Sequence, residues 1–219
     1  MKVACIHALK SSLEPIDKAF QAAAPHIEIY HLMDTGMLYL LKKYKEITPA
    51  ILRRLTDLCS KAEELKVDAI QMTCSAFNGV RDQIAPFASV PVFRSDEAVL
   101  EEASKYKKIG LIATVRETAP PLIKYLHQIG PATEVITEVN TLAMERLEKG
   151  ERKGHDKLVL EMISSLKNKV EAVVLSQYSM AHTANMASQV EIPILTAPQA
   201  SVRKCLSSFQ KRGERIANN

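Results

Sequence analysis

Tryptophan is absent from this 219-residue chain, which also holds only seven glycines and four cysteines. With ten prolines and no low-complexity tract, nothing marks it as disordered or fibrous. No apolar run approaches the roughly 20 residues that cross a bilayer as a helix, so no membrane span or membrane partner is expected. Val3 to Leu9 is short, is broken by His7 and has no small-residue cleavage pattern after it, so it reads as a strand rather than a signal peptide. Cys5, Cys59, Cys74 and Cys205 show neither CxxC spacing nor the density of a disulfide scaffold. Reduced thiols, a cytoplasmic location and no zinc site are the expectation. Phosphate-cradling GxGxxG and GxxxxGK[ST] runs are missing, and no histidine pair has helical metal-ligand spacing. The expected cofactor list is empty.

Charge of one sign is also scarce. Against 25 acidic residues stand 29 basic ones, a net charge of +4. The basic residues fall in short runs such as Lys42-Lys43, Arg53-Arg54 and Lys107-Lys108 with acids nearby, which describes solvated helix faces. Six Tyr and five Phe are not interleaved with them as a base-stacking platform requires, so no nucleic-acid partner is expected.

What is present is a regular alternation of strand-like runs and amphipathic helices. Strands are read at Val3–His7, Ile27–Leu32, Val67–Met72 and Val90–Phe93. Helices are read at Glu14–Ala23 (with Ser11 or Ser12 as cap), Thr48–Leu65, Val80–Phe87 and Glu97–Tyr106. In the second of these, Ile51, Leu55, Leu58 and Ala62 share one face. From Lys108 the order starts again, with strands at Ile109–Ala113, Glu134–Glu138, Val170–Leu175 and Ile192–Leu195 and helices between and after them. Val67 to Cys74 aligns with Val170 to Gln177 at an offset of 103, Val90–Phe93 with Ile192–Leu195 at 102, and Lys2-Val3 with Lys108-Ile109 at 106. Three ordered matches imply a duplicated α/β unit, with a period too long for a solenoid. The expected fold is two pseudo-symmetric lobes, each a four-stranded parallel sheet flanked by helices, with an active-site cleft between them. Residues 1–95 and 198–219 would form the first lobe and 96–197 the second.

Ligands in such sheets sit beyond the carboxyl ends of the strands, which directs attention to His7–Ser12, Asp34, Thr73–Asn78, Arg94–Asp96, Thr114–Thr118, Ser176–His182 and Thr196. Cys74 is the leading candidate, because a thiol between a strand end and a helix start is expected to have a lowered pKa. Its alternative is a small buried residue at a tight turn. Cys5, Cys59 and Cys205 read as structural hydrophobes. His7 and His182 are candidates for a site role, whereas His26, His31, His127 and His155 read as surface or boundary residues. Asp96-Glu97 reads as a helix cap. Hydroxyl and amide groups at Ser12, Thr73, Ser75, Asn78, Thr114, Ser176, Gln177 and Ser179 could hold a carboxylate without an arginine.

The doubled lobe, with Gln71-Met72-Thr73-Cys74-Ser75-Ala76-Phe77-Asn78 after the third strand, resembles the aspartate/glutamate racemase superfamily. That group also contains hydantoin racemases, maleate isomerases and arylmalonate decarboxylases. Ser11-Ser12-Leu13-Glu14-Pro15-Ile16, Arg94-Ser95-Asp96-Glu97-Ala98, Leu175 to Ala181 and Pro193 to Pro198 extend the resemblance over nearly the whole chain. It implies cofactor-independent chemistry at a carbon beside the carboxylate of a small acid. In the racemases two cysteines, one from each lobe, flank the substrate, and each face needs its own acid and base. Cys74 matches the first. The second lobe departs from the pattern, because the internal repeat places Gln177 opposite Cys74, and an amide cannot exchange a proton as a thiol does.

Three explanations stay open. Ser176, Tyr178 or Ser179 could be a weak second donor, the reaction could need one proton-transfer residue, or Cys74 could be a nucleophile. The rival is a non-catalytic small-carboxylate binding protein on the same scaffold. Return of the last helix to the first lobe and a homodimer are family expectations.

Overall fold

Val3, Ala4, Cys5 and Ile6 are all buried. A continuous apolar run, rather than an alternating one, is what a strand carries when helices cover both faces of a parallel sheet. In the computed structural model, which describes residues 1–217, this run is strand β1 (Lys2–His7). It is followed by α1 (Leu13–Ala23), β2 (Glu28–Met33), α2 (Gly36–Tyr44), α3 (Pro49–Glu64), β3 (Ala69–Met72), α4 (Arg81–Ile84) and β4 (Val92–Phe93). The strands form a parallel sheet in the order β2-β1-β3-β4.

The second half runs α5 (Glu97–Ala103), β5 (Lys108–Ala113), α6 (Ala119–Ile129), β6 (Glu134–Val139), α7 (Thr141–Glu148), α8 (Arg152–Leu166), β7 (Ala172–Leu175), β8 (Ile194–Thr196) and α9 (Ala197–Ala217). Its parallel sheet has the order β6-β5-β7-β8. The chain divides into two compact units, Met1–Ser95 with Ser201–Asn219, and Asp96–Ala200. Among the described residues, no helix is long and apolar enough to cross a membrane.

The two sheets repeat each other to the residue. Val3 pairs with Ile29 and Ala69, and Ile109 pairs with Val135 and Ala172. The bonds beyond the ladders repeat too. Thr73 N–H donates to Ile6 O as Ser176 N–H donates to Ile112 O, and Asp34 N–H donates to His7 O as Asn140 N–H donates to Ala113 O. Each unit has its own apolar core. Ile51, Leu55, Leu58 and Ala62 of α3 pack with Ile6, Ile70 and Met72 in the first, and Val159, Ile163 and Leu166 of α8 pack with Ile112 and Val173 in the second. Thr48 caps α3 by accepting from Ile51 N–H, with Pro49 at the first helical position, where its missing donor costs nothing.

Local chemistry overrode the sequence reading at four places. Helix α2 was not anticipated; it starts where Asp34 Oδ1 accepts from Gly36 N–H. The helix expected over Val80–Phe87 is only the short α4, flanked by 3-10 turns at Ser75–Val80 and Ala85–Phe87. Pro86 lies in the second of these and cannot donate to a continued α-helical ladder. The segment after β7 is a 3-10 stretch, Tyr178–Met186. Neither Ser12 nor Asp96 makes a capping bond with its side chain, although each stands at a helix start.

Candidate active site

In the first unit, chemistry gathers at the carboxyl ends of β1 and β3. His7 is the last residue of β1 and is completely buried. Its Nδ1 lies 2.6 Å from Ser12 Oγ and 2.9 Å from Thr73 Oγ1, and the two hydroxyl oxygens are 3.1 Å apart. Each hydroxyl also has a carbonyl to donate to, Leu9 O for Ser12 and Ile6 O for Thr73. On its other side, His7 Nε2 lies 2.9 Å from His31 Nδ1, and His31 Nε2 lies 2.8 Å from the Asp17 carboxylate. Burial, and secondarily the neighbouring His31, lower the His7 pKa from 6.5 to about 4, so His7 is neutral at physiological pH.

The parallel register explains the meeting. His31 pairs with Cys5, and Cys5 and His7 lie two residues apart on one face of β1. The sequence reading made His7, Ser12 and Thr73 candidates and His31 a surface or boundary residue, which its exposure bears out, but missed the bonds from His31 to His7 and Asp17. Aligning the first two strands in parallel register would have found His31.

Cys74 follows directly after Thr73 and is half-buried. It lines a small, mostly apolar crevice with His7, Met37, Leu55, Met72 and Phe77. The expected lowering of its pKa is not found. Burial pushes the thiol up to about 11, against the opposing pull of the Ala76 N–H on its sulfur. Desolvation outweighs one backbone donor, and the 3-10 turn that follows is too short to add a strong helix dipole. Cys74 is therefore a thiol at neutral pH. Burial also raises Cys59, to about 11, and Cys205, to about 12, in keeping with structural roles.

Asn78 does different work from that expected of a substrate ligand. It is buried, its Oδ1 accepts from Ser95 N–H and Oγ–H, and its Nδ2 lies 3.0 Å from Ser95 Oγ. The amide thus clamps the turn after Cys74 to the end of β4. Ser75 is half-buried beside Cys74.

In the second unit, the structure joins Thr114, Ser176 and Gln177. Gln177 Oε1 accepts from Thr114 N–H at 2.8 Å and Thr114 Oγ1–H at 3.0 Å, with Ser176 Oγ at 3.5 Å. With its oxygen so occupied, the polar atom Gln177 has left is Nε2, which only donates. Ser179 is buried in the 3-10 stretch that follows, and at the end of β8 the buried Thr196 hydroxyl has no hydrogen-bond partner among the described residues.

His155, expected near the surface, is completely buried. Its Nδ1 and His182 Nε2 both meet Asp156 Oδ1, at 2.8 Å and 2.7 Å. These three groups, and separately Cys5, His7 and His31, are close enough to share a metal ion, which spacing along the sequence did not reveal. The chemistry of the first trio favours hydrogen bonding. A metal on the atoms that face Asp156 would make His155 Nε2 and His182 Nδ1 donors, and both are buried without a partner among the described residues. One N–H from each ring donated to Asp156 leaves only lone pairs unpaired, and these contacts tie the segment after β7 to α8.

Known structures share this architecture. An aspartate racemase homologue from Pyrococcus horikoshii OT3 is 17% identical and superposes with a TM-score of 0.74, covering 94% of this chain and 97% of that one. The Picrophilus torridus aspartate racemase is 13% identical with a TM-score of 0.78, covering 94% and 93%. Allantoin racemase from Klebsiella pneumoniae is 18% identical with a TM-score of 0.69, covering 97% and 89%. Among curated proteins, no relative matches the chain in sequence. Residues 10–205 match the family described as Asp/Glu/Hydantoin racemase, so a doubled parallel sheet with a cysteine at the end of β3 has a family to go with it: the chain belongs to the Asp/Glu/hydantoin racemases.

Proposed function

We propose that this racemase-family protein moves a proton at the carbon beside the carboxylate of a small acid, without a cofactor, and that Cys74 is the proton donor. The observation that carries this reading is a half-buried thiol, held protonated to about pH 11, in an apolar crevice at the carboxyl end of β3. Racemisation, isomerisation and decarboxylation at such a carbon share one step, protonation of a planar carbanion or enolate. In that step the Sγ–H bond breaks, a C–H bond forms, and the electron pair left on sulfur is stabilised by the Ala76 N–H.

A thiol that keeps its proton suits donation better than abstraction. In the second unit, Gln177, with its oxygen already bonded to Thr114, has only an N–H donor left and no acid/base group. Within the first unit, the half-buried Ser75 beside Cys74 offers a further hydroxyl donor for a carboxylate.

The test is proton NMR in D2O with a panel of amino acids, hydroxy acids, maleate and substituted malonates. Deuterium entering an α-position, or loss of a substrate signal, is expected with the native protein. The Cys74→Ser variant should lose it by about 100-fold or more. Equal turnover by the variant would remove Cys74 from the chemistry. No exchange with any acid in the panel would favour a carboxylate-binding role.

A further inference from the structure

We propose that Ser12, His7, His31 and Asp17 form a proton relay between the buried hydroxyls at the carboxyl ends of β1 and β3 and solvent. The argument is one of hydrogen-bond bookkeeping. Four groups lie in an unbroken chain with contacts of 2.6, 2.9 and 2.8 Å. The inner members, His7 and Ser12, are buried, while His31 keeps 28% and Asp17 50% of its side-chain surface. His7 also lines the crevice that holds Cys74.

The chain satisfies every contact in two protonation patterns without moving a heavy atom. In the first, Ser12 donates to His7 Nδ1, His7 Nε2–H donates to His31 Nδ1, and His31 Nε2–H donates to the Asp17 carboxylate. Both imidazoles are then neutral. In the second, the Ser12 and Thr73 hydroxyls turn to Leu9 O and Ile6 O, and His7 Nδ1–H donates to their oxygens. His7 Nε2 now accepts from His31 Nδ1–H, and His31 carries protons on both nitrogens beside Asp17.

The second pattern holds one proton more than the first. A proton arriving at Ser12 Oγ displaces the hydroxyl proton onto His7 Nδ1, and the proton on His7 Nε2 passes to His31 Nδ1. The positive charge emerges on His31, paired with the Asp17 carboxylate at the solvent end. His7 exchanges one N–H for the other and ends neutral, as its low pKa requires. The spare carbonyl acceptors make the inner end reversible. A hydroxyl with only one acceptor would lock His7 in one tautomer.

Use of the relay in turnover rests on the Cys74 reading, but the relay can be tested without a substrate. In protein labelled with 15N-histidine, NMR measures how fast the ring N–H of the buried His7 exchanges with water. The relay predicts exchange slower by at least about tenfold in His31→Phe. Asp17→Asn removes the partner of the charged state at an exposed position, disturbs packing least, and should slow exchange in the same direction. A merely structural role predicts the reverse, since loosening the contacts opens the site and speeds exchange. Unchanged or faster exchange in folded Asp17→Asn protein would overturn the relay. If His31→Phe does not fold, Asp17→Asn alone decides. Slowed exchange together with an inert Cys74 would keep the relay and discard the thiol chemistry.

Discussion

His7 couples the site to the stability of the first unit. Its pKa falls from 6.5 to about 4 on folding, so below pH 6.5 the unfolded chain takes up a proton that the native state refuses. Stability from this residue is fully present above pH 6.5 and is lost as pH falls toward 4, an amount of about 3 kcal/mol. Urea unfolding from pH 7 to pH 4 should show this loss, and His7→Asn should flatten the slope. Cys74 titrates at the opposite end. Held up to about 11, its thiolate is rare at neutral pH, so alkylation by iodoacetamide, followed by mass spectrometry, should be slow at pH 7 and still rising beyond pH 9. A rate that levels off near pH 8 would refute the burial argument.

Cys74, Thr73 and Ser12 were legible because each lies just past a strand end or at a helix start. The thiol's protonation state was not, because it depends on how tightly Met37, Leu55 and Phe77 close around it. Asp17 was hidden for a similar reason, being one acid among many on an amphipathic helix until His31 is placed beside it.

The turn after Cys74 depends on a single amide. Asn78→Ala would leave the buried Ser95 N–H without its acceptor and should cost about 2–3 kcal/mol in urea unfolding. Asn78→Asp keeps the acceptor and should recover part of that loss. In the second unit, α8 approaches β5 over Gly110, where an added Cβ would come within 2.8 Å of Leu166 Cδ1 and 3.4 Å of its Cβ. Leu166 is fully buried and has little room to turn away, so Gly110→Ala should cost about 1–3 kcal/mol by thermal or urea unfolding.

Strands were the most readable elements, because buried parallel strands are dense in β-branched and aliphatic residues. The offsets read from the sequence return in the strand bounds, with β1 and β5 106 residues apart and β3 and β7 103. Helix α2 escaped because it has nine residues and buries only Met37, too little for a periodic signal. The expected helix over Val80–Phe87 failed because apolar spacing was weighed above Pro86.

As a whole molecule, the protein is two units of unequal continuity. One is the uninterrupted stretch Asp96–Ala200, and the other needs both Met1–Ser95 and the segment from Ser201 onward. Val202 and Cys205 of α9 are buried, so removing that segment uncovers apolar surface. A fragment of residues 96–200 should fold alone with a cooperative urea transition, whereas residues 1–95 alone should bind a hydrophobic dye and melt broadly. Equal behaviour of the two fragments would contradict the division.

The arrangement also sets a schedule for synthesis. A ribosome makes the residues of the first sheet before those of the second, yet that unit stays without its last helix until the residues beyond Ala200 emerge. The later unit can close beforehand, since domains fold as they are completed. The unit that carries Cys74 therefore closes after the other, and a chain cut short before Ser201 would hold a finished second unit joined to a first unit that cannot close.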